Sequence, residues 1–390
     1  MKILIFADVY YPDVIGGGEF STKQLTEGLA KKGHKVVVYC LGKNNCEEEI
    51  NGVRVNRKYI RGVSEHFLSI TKNNCIKDPF TTVSKIIRKW PDLYPSRKWY
   101  ELYRNILLQE SPDLVHTVSP VSYQGRLNLW KAACSLKIPV SHVCRGPGLL
   151  EFDFFCGMLN RYNASRNAKA SAYLTALVAP SKFMLDIHNR QNIKGQRFNE
   201  VIYNAVDFNK ISVTADLVKQ KENLVLYAGA IKKEKGILTL IKAMKELQDV
   251  KLLIIGRGKL TEEIEKEGNI EIIDWMDRTS LFKYVKKAKA VILPSEWTEA
   301  FGRILIESIY NGTLAIGSDR GGIPEVLGFN EKYIFTAGNE KELRQRIERV
   351  MNMSADEYME EVAGMQKISA GFTNDEYVNR WENFFLQQLN

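Results

Sequence analysis

The sequence predicts an α/β protein made of two consecutive parallel-sheet domains. Three observations predict it. Short apolar runs alternate with segments of helical period from one end of the chain to the other. Three glycines, Gly16-Gly17-Gly18, stand between the first apolar run and the first helical segment. The alternation lapses and charge rises over residues 204–221, after which the same pattern restarts. A length of 390 residues suits two domains of ordinary size, at about 100–200 residues each.

In order, residues 3–7 are an apolar run that reads as a buried strand. Ser21 is placed to cap a helix running to about Lys32, with Leu25 and Leu29 facing inward and Gly33 ending it. Residues 36–39 return as a strand and complete a βαβ unit. Residues 114–117, 140–143 and 176–178 are further strands of the first half. The second half reads as strands at 224–227, 251–255, 270–273, 290–293 and 314–317, with helical segments at 237–247, 281–287 and 302–311. Tyr377, Trp381, Phe384 and Phe385 recur at helical spacing, so residues 375–389 read as a closing helix. There is no internal repeat at a 20–50-residue period.

Composition narrows the function. With 45% hydrophobic residues the chain can bury a sizeable core, which excludes wholesale disorder. No run approaches the roughly 18 apolar residues of a membrane-spanning helix, and Asp8 interrupts the short apolar start, which makes a poor signal peptide. The six cysteines form no CxxC pair and no zinc spacing, so reduced cytoplasmic thiols are expected rather than a disulfide scaffold. The net charge of +9 is unevenly placed: residues 1–205 hold 29 Lys+Arg against 17 Asp+Glu, and residues 206–390 hold 26 against 29. Much of the excess falls in residues 54–104, with 12 basic against 4 acidic residues and Phe67, Phe80, Trp90, Trp99, Tyr100 and Tyr103 interleaved. Such a stretch suits nucleic acid, an anionic membrane or an acidic substrate, or is simply a solvated helical face.

Several chemistries are excluded by motif. Both glycine turns, starting at Gly16 and at Gly256, lack the last glycine of GxGxxG. There is no P-loop, HExxH or GxSxG, and no pair of the five histidines has ligand spacing. Hydride transfer, P-loop ATP hydrolysis, zinc hydrolysis and serine hydrolysis are therefore disfavoured.

The most specific segment runs from Glu296 to Glu307. Glu299 lies in a loop after a strand, and Glu307 lies eight positions on, in a helix starting near Gly302. Ile304, Leu305, Ile306 and Ile309 make that helix apolar nearly all round, so it should be buried. A buried carboxylate costs several kcal/mol unless something hydrogen-bonds it. A ribose diol would suit Glu307; so would a neighbouring Arg or Lys. The N–H groups around Ala300, Phe301 and Gly302 open the helix, where hydroxyls or phosphates can be held.

These two glutamates, with Gly321-Gly322-Ile323-Pro324-Glu325 after them, resemble the donor-site signature of family-4 retaining glycosyltransferases of the GT-B fold. The resemblance extends through Ile15-Gly16-Gly17-Gly18-Glu19, Gly33-His34-Lys35-Val36, Pro112-Asp113-Leu114-Val115-His116, Ala179-Pro180-Ser181-Lys182-Phe183, Tyr203-Asn204-Ala205-Val206-Asp207 and the turn from Gly229 to Lys235-Gly236. It implies two facing Rossmann-like domains: residues 1–205 on the acceptor side, joined by a crossing helix at 373–390, and residues 206–372 binding the nucleotide sugar. The reaction it implies moves a sugar from a nucleoside diphosphate sugar to an acceptor hydroxyl with retained configuration, in cell-surface polysaccharide or lipid-linked glycan assembly.

Roles follow by the same resemblance. Glu307 would bind the ribose, Glu299 the transferred sugar, and Lys235 the diphosphate. Gly17 and Gly18 would let backbone approach the phosphates, with Phe301 and Gly302 at the helix start. Residues 273–276, Trp275 among them, would receive the base. A cation and helix N-termini aimed at the departing nucleotide stabilise its growing charge, so neither metal nor cofactor is expected. Two positions depart from the family pattern. Ala230 stands where Arg is usual after Gly229, leaving Lys232, Lys233 or Arg257 to supply the charge. Arg145 stands where many members have His; it would hold sugar, acceptor or phosphate, and as a permanently protonated group it is no general base. His116 and His142 read as structural. The expected partners are the nucleotide sugar, a glycan or lipid-linked glycan acceptor and an anionic membrane surface, not nucleic acid. A nucleotide-sugar 2-epimerase and a non-catalytic transferase-like subunit are the alternatives.

Overall fold

The computed structural model describes residues 1–13, 17–59, 97–118, 126–150, 157–206, 210–258, 260–261, 264 and 268–390. They divide into two compact units, Met1–Tyr203 with Asp375–Asn390, and Asn204–Asn374. Most of the expected basic and aromatic stretch, residues 60–96, lies outside the described residues, as do Gly16 and Asp207.

The first unit holds an eight-stranded sheet: β1 (Lys2–Phe6), β2 (Lys35–Leu41), β3 (Cys46–Ile50), β4 (Val53–Lys58), β5 (Leu114–Val118), β6 (Val140–Val143), β7 (Ala176–Ala179) and β8 (Phe198–Val201). Its order is β3-β4-β2-β1-β5-β6-β7-β8. Every pairing is parallel except the β3–β4 hairpin. Strands β1 and β7 are apolar runs because both their faces are covered, and β5 and β6 are equally buried although they carry His116, Thr117, Ser141 and His142. The edge strand β3, Cys-Glu-Glu-Glu-Ile, escapes that logic: it is mostly exposed, and its charges blunt a sheet edge. Its hairpin turns at Asn51 (φ 50°) and Gly52 (φ 80°), the positive-φ pair that matches strand twist.

Helix α1 (Gly17–Lys31) starts five residues earlier than a Ser21 cap would place it. Ser21 is not its cap; the Ser21 hydroxyl sits inside the helix and donates to the Gly17 carbonyl at 3.2 Å. Helices α2 (Arg97–Glu110), α3 (Arg126–Ser135), α4 (Gly157–Ala170) and α5 (Lys182–Arg190) complete the series.

The second unit has six strands: β9 (Glu222–Ala228), β10 (Lys251–Ile255), β11 (Ile270–Ile273), β12 (Ala288–Leu293), β13 (Leu314–Ser318) and β14 (Ile334–Phe335). All are parallel, in the order β11-β10-β9-β12-β13-β14. The chain steps outward from β9 to β11 and then returns to the other side of β9. Connections therefore diverge at the β9–β12 junction, the place where open α/β sheets bind ligands at their carboxyl ends. Helices α6 (Ala215–Lys219), α7 (Ile237–Met244), α8 (Arg278–Lys287), α9 (Arg303–Tyr310), α10 (Ile323–Val326), α11 (Glu340–Met351) and α12 (Ala355–Ile368) pack around this sheet. Helix α8 starts at Arg278 rather than 281 because Asp277 caps it, accepting from the Ser280 N–H at 3.0 Å.

The closing helix α13 (Asn374–Leu389) packs in the first unit. Trp381 and Phe385 meet the His116 ring edge-on at 4.8 and 5.3 Å. The close fit of α13 on α1 depends on Gly28, where a Cβ would come within 2.3 Å of Val378.

Candidate active site

The loops leaving β9 and β12 are tied together by backbone. After β9 the chain makes a 3₁₀ turn at Lys233–Lys235 and enters α7 through Gly236, at φ 68°. Within that turn the Glu234 carbonyl accepts from the N–H groups of Glu296 and Trp297 at 3.0 and 2.9 Å. This tie brings the Lys235 ammonium onto the Glu299 carboxylate as an ion pair. Glu299 is held from the other side as well: Gly322 N–H donates to the Glu299 carbonyl at 2.8 Å. Gly321, at φ 63°, passes so close that a Cβ would lie 2.0 Å from that oxygen. The Gly321-Gly322 pair thus fixes the Glu299 peptide.

Gly236 is likewise a position that only glycine fits, since its Cβ would lie 1.8 Å from the Pro294 carbonyl. Gly236→Ala should therefore destabilise the protein by about 1–3 kcal/mol, read as a lower midpoint in thermal melts. An unchanged midpoint would contradict the packing described.

Helix α9 opens at Gly302 (φ 95°), beside Phe301, which is buried edge-on against Phe372 at 5.6 Å. Leu305, Ile306 and Ile309 bury the helix, and Glu307 goes inside with them at 3% exposure. Its Oε1 accepts from Arg278 Nη2 at 2.6 Å and from Arg303 Nε at 3.3 Å. Of the two partners that the sequence allows for this carboxylate, the structure therefore holds a neighbouring cation, and two of them converge on one oxygen. Arg278 was not legible as a site residue, although a cation in the first turn of a helix opposes the helix dipole and calls for a carboxylate nearby.

Arg257, after β10, pairs with Asp274, after β11; the pairing holds the Asp274 carboxyl below its ordinary range. Asp274 also accepts from the Trp275 N–H at 2.7 Å, and the Trp275 side chain is 63% exposed. Lys232 and Lys233 are exposed. The Ala230 turn is ordered by Tyr227, whose hydroxyl donates to the Ala230 carbonyl at 2.7 Å.

In the first unit the structure brings Gly17, Gly18 and Arg145 together. Arg145 Nη1 donates to the Gly18 carbonyl and, at 2.7 Å, to Thr22 Oγ1. A Cβ on Gly18 would sit 3.3 Å from that guanidinium. The loop ahead of α1 is pinned by Arg57, which donates to the carbonyls of Tyr10 and Tyr11 at 3.2 and 2.7 Å. His116 is fully buried, and burial together with the Arg145 charge pushes it down to about 3, so it stays neutral. His142 packs against Trp130 at 5.2 Å.

Each predicted residue is thus placed. Lys235, Arg257, Trp275, Glu299, Phe301, Gly302 and Glu307 follow the carboxyl ends of β9 to β12 in the second unit. Gly17, Gly18 and Arg145 follow those of β1 and β6 in the first. Among the described residues no three His, Cys, Asp or Glu side chains gather to hold a metal ion, and no helix is long and apolar enough to cross a membrane.

Residues 15–210 match the sequence profile of Glycosyltransferase Family 4, and residues 211–364 that of Glycosyl transferases group 1. The chain is 26% identical to a 42.6 kDa protein of the cps region of Klebsiella pneumoniae, over 84% of this chain and 87% of that one. It is also 26% identical to a glycosyltransferase of Methanocaldococcus jannaschii, over 84% of this chain and 83% of the other. Among solved structures it resembles Anabaena HepE in complex with UDP-glucose, with a TM-score of 0.68 at 15% identity, covering 99% of this chain and 100% of that one.

Proposed function

Because the chain belongs to glycosyltransferase family 4 and has the GT-B fold, we propose that this glycosyltransferase moves a sugar from a nucleoside diphosphate sugar to an acceptor hydroxyl with retained configuration. The observation that carries this reading is the Lys235–Glu299 pair at the β9–β12 junction, with the buried Glu307 on the same connection as Glu299. Lys235 leaves Glu299 for the diphosphate and stabilises the charge of the departing nucleotide without a metal ion. Glu299 then holds the hydroxyls of the moving sugar, and Glu307 the ribose. Trp275 offers an exposed ring for the base. The HepE complex supports UDP as the nucleotide. No obvious enzymic nucleophile stands among these residues, and the family resemblance then implies same-face attack assisted by the leaving phosphate. The test is incubation with a panel of nucleotide sugars and glycan acceptors, with NMR of the product: an anomeric centre matching the donor supports the reading, and an inverted one contradicts it.

A 2-epimerase is not favoured. It needs acid–base carboxylates or histidines, of which the first-domain motifs offer few: His116 is buried and neutral and His142 is packed against Trp130. The non-catalytic reading has only Ala230 in its favour.

The acceptor side is assigned to the first unit, and the acceptor to a glycan or lipid-linked glycan of polysaccharide assembly. A cavity of about 240 Å³ lined by Phe6, Tyr39, Tyr59, Trp99, Leu102 and Tyr103 supports an acceptor with an apolar part. With 12 basic against 4 acidic residues in 54–104, the protein should associate peripherally with the cytoplasmic face of an anionic membrane. Each Lys or Arg near such a surface contributes about 1 kcal/mol, screened by salt. Co-sedimentation with anionic vesicles should exceed that with neutral ones at low salt and fall at high salt. Equal co-sedimentation at low salt would overturn the membrane assignment.

A further inference from the structure

We infer that Arg278 is a positioning residue of the donor site, holding Glu307 by one oxygen so that the other faces the nucleotide ribose. The inference rests on the reading of Glu307 as the ribose acceptor. Three observations converge on it. First, Arg278 occupies the first turn of α8, where a cation works against the helix dipole, and its guanidinium is committed to a carboxylate 29 residues away at 2.6 Å. Second, the guanidinium also lies over the Phe282 ring, 5.3 Å from its centroid, which fixes its plane. Third, the bonds that Arg278 and Arg303 make to Glu307 both fall on Oε1, and neither is to Oε2.

An ion pair whose only purpose is to neutralise a buried carboxylate is best served by a fork engaging both oxygens. Here two guanidinium groups, from two helices, crowd one oxygen instead. The carboxylate cannot rotate about its last bond without losing both. Oε2 is therefore presented in one direction, as an acceptor for a vicinal diol. Arg303 shares the α9 helix with Glu307 and moves with it, whereas Arg278 ties Glu307 to α8, the helix that directly follows the Trp275 loop. This side chain thus ties the element that follows the base loop to the ribose carboxylate.

The test is titration calorimetry with whichever of UDP, GDP, ADP and CDP binds the parent protein most tightly, beside steady-state kinetics. Arg278→Met should weaken nucleotide binding about tenfold, the lower end of what one hydrogen bond to a charged group contributes. The donor KM should rise by a similar factor while kcat stays within about twofold. Arg278→Lys keeps the charge without the planar fork and should recover part of the affinity. In a Glu307→Ala background, Arg278→Met should add almost nothing, because its partner is gone. Thermal midpoints do not discriminate, since a lost ion pair lowers them in any account; should Arg278→Met fail to fold, Arg278→Lys carries the test as a smaller loss of the same kind. If Glu307→Ala weakens binding but the Arg278 variants bind like the parent, the inference fails and the ribose assignment stands. If the two losses add in full, Arg278 acts independently of Glu307 and the inference fails. If Glu307→Ala itself binds like the parent, the ribose assignment falls and the inference with it.

Discussion

Glu299→Ala should lower kcat for sugar transfer by about 10- to 150-fold, the effect of one charge-assisted hydrogen bond worth roughly 1.5–3 kcal/mol, while nucleotide affinity stays nearly unchanged. The geometry explains the split. The Glu299 peptide is held by Gly321 and Gly322, so its side chain leaves the loop from a fixed place, paired with Lys235 when no donor is bound. Its proposed partner is the sugar that moves, and contacts to that sugar matter most as the glycosidic bond breaks. Steady-state kinetics with donor varied at saturating acceptor separates kcat from KM. A variant whose whole loss appears in KM would show that Glu299 serves ground-state binding only.

Glu307→Ala should fail differently. As the proposed ribose acceptor it serves ground and transition states alike, so its removal should raise the donor KM with little change in kcat. The loss should again be about 10- to 150-fold, and the sugar-free nucleotide should be weakened as much as the nucleotide sugar. The substitution also leaves Arg278 and Arg303 without their shared carboxylate. Two half-buried charges lose the carboxylate they share, so the thermal midpoint should fall too. Glu307→Gln, which keeps the side-chain volume, limits that loss and isolates the change in binding.

What could be read from the sequence was what local physics writes into it. Residues 252–255 form a central strand with both faces covered, and they are four consecutive apolar residues. The Glu299–Glu307 spacing and the Gly321-Gly322 pair were visible because a loop, a helix start and a tight turn leave their marks within 27 residues. Strand β3 was missed because an exposed edge needs no apolar face, and Glu47, Glu48 and Glu49 resemble a loop. The start of α1 was misplaced because Ser21 suits a cap as well as an interior position with its hydroxyl turned back on the Gly17 carbonyl. Arg278 was not legible because its partner is on another helix. Likewise Arg257, a candidate for the charge missing at Ala230, carries no local sign that Asp274 holds it. Such pairings are decided by the packing of elements against one another, not by the spacing within them.

The measurement that tests the account most directly is calorimetric titration of the nucleoside diphosphate into the parent protein, Glu299→Ala and Glu307→Ala. The account predicts near-parent affinity for Glu299→Ala and a loss of about one to two orders of magnitude for Glu307→Ala, as expected for one hydrogen bond to a charged group. Parent-like affinity for Glu307→Ala would contradict it: the carboxylate would then be only the counter-ion of Arg278 and Arg303, and the donor site would lie elsewhere.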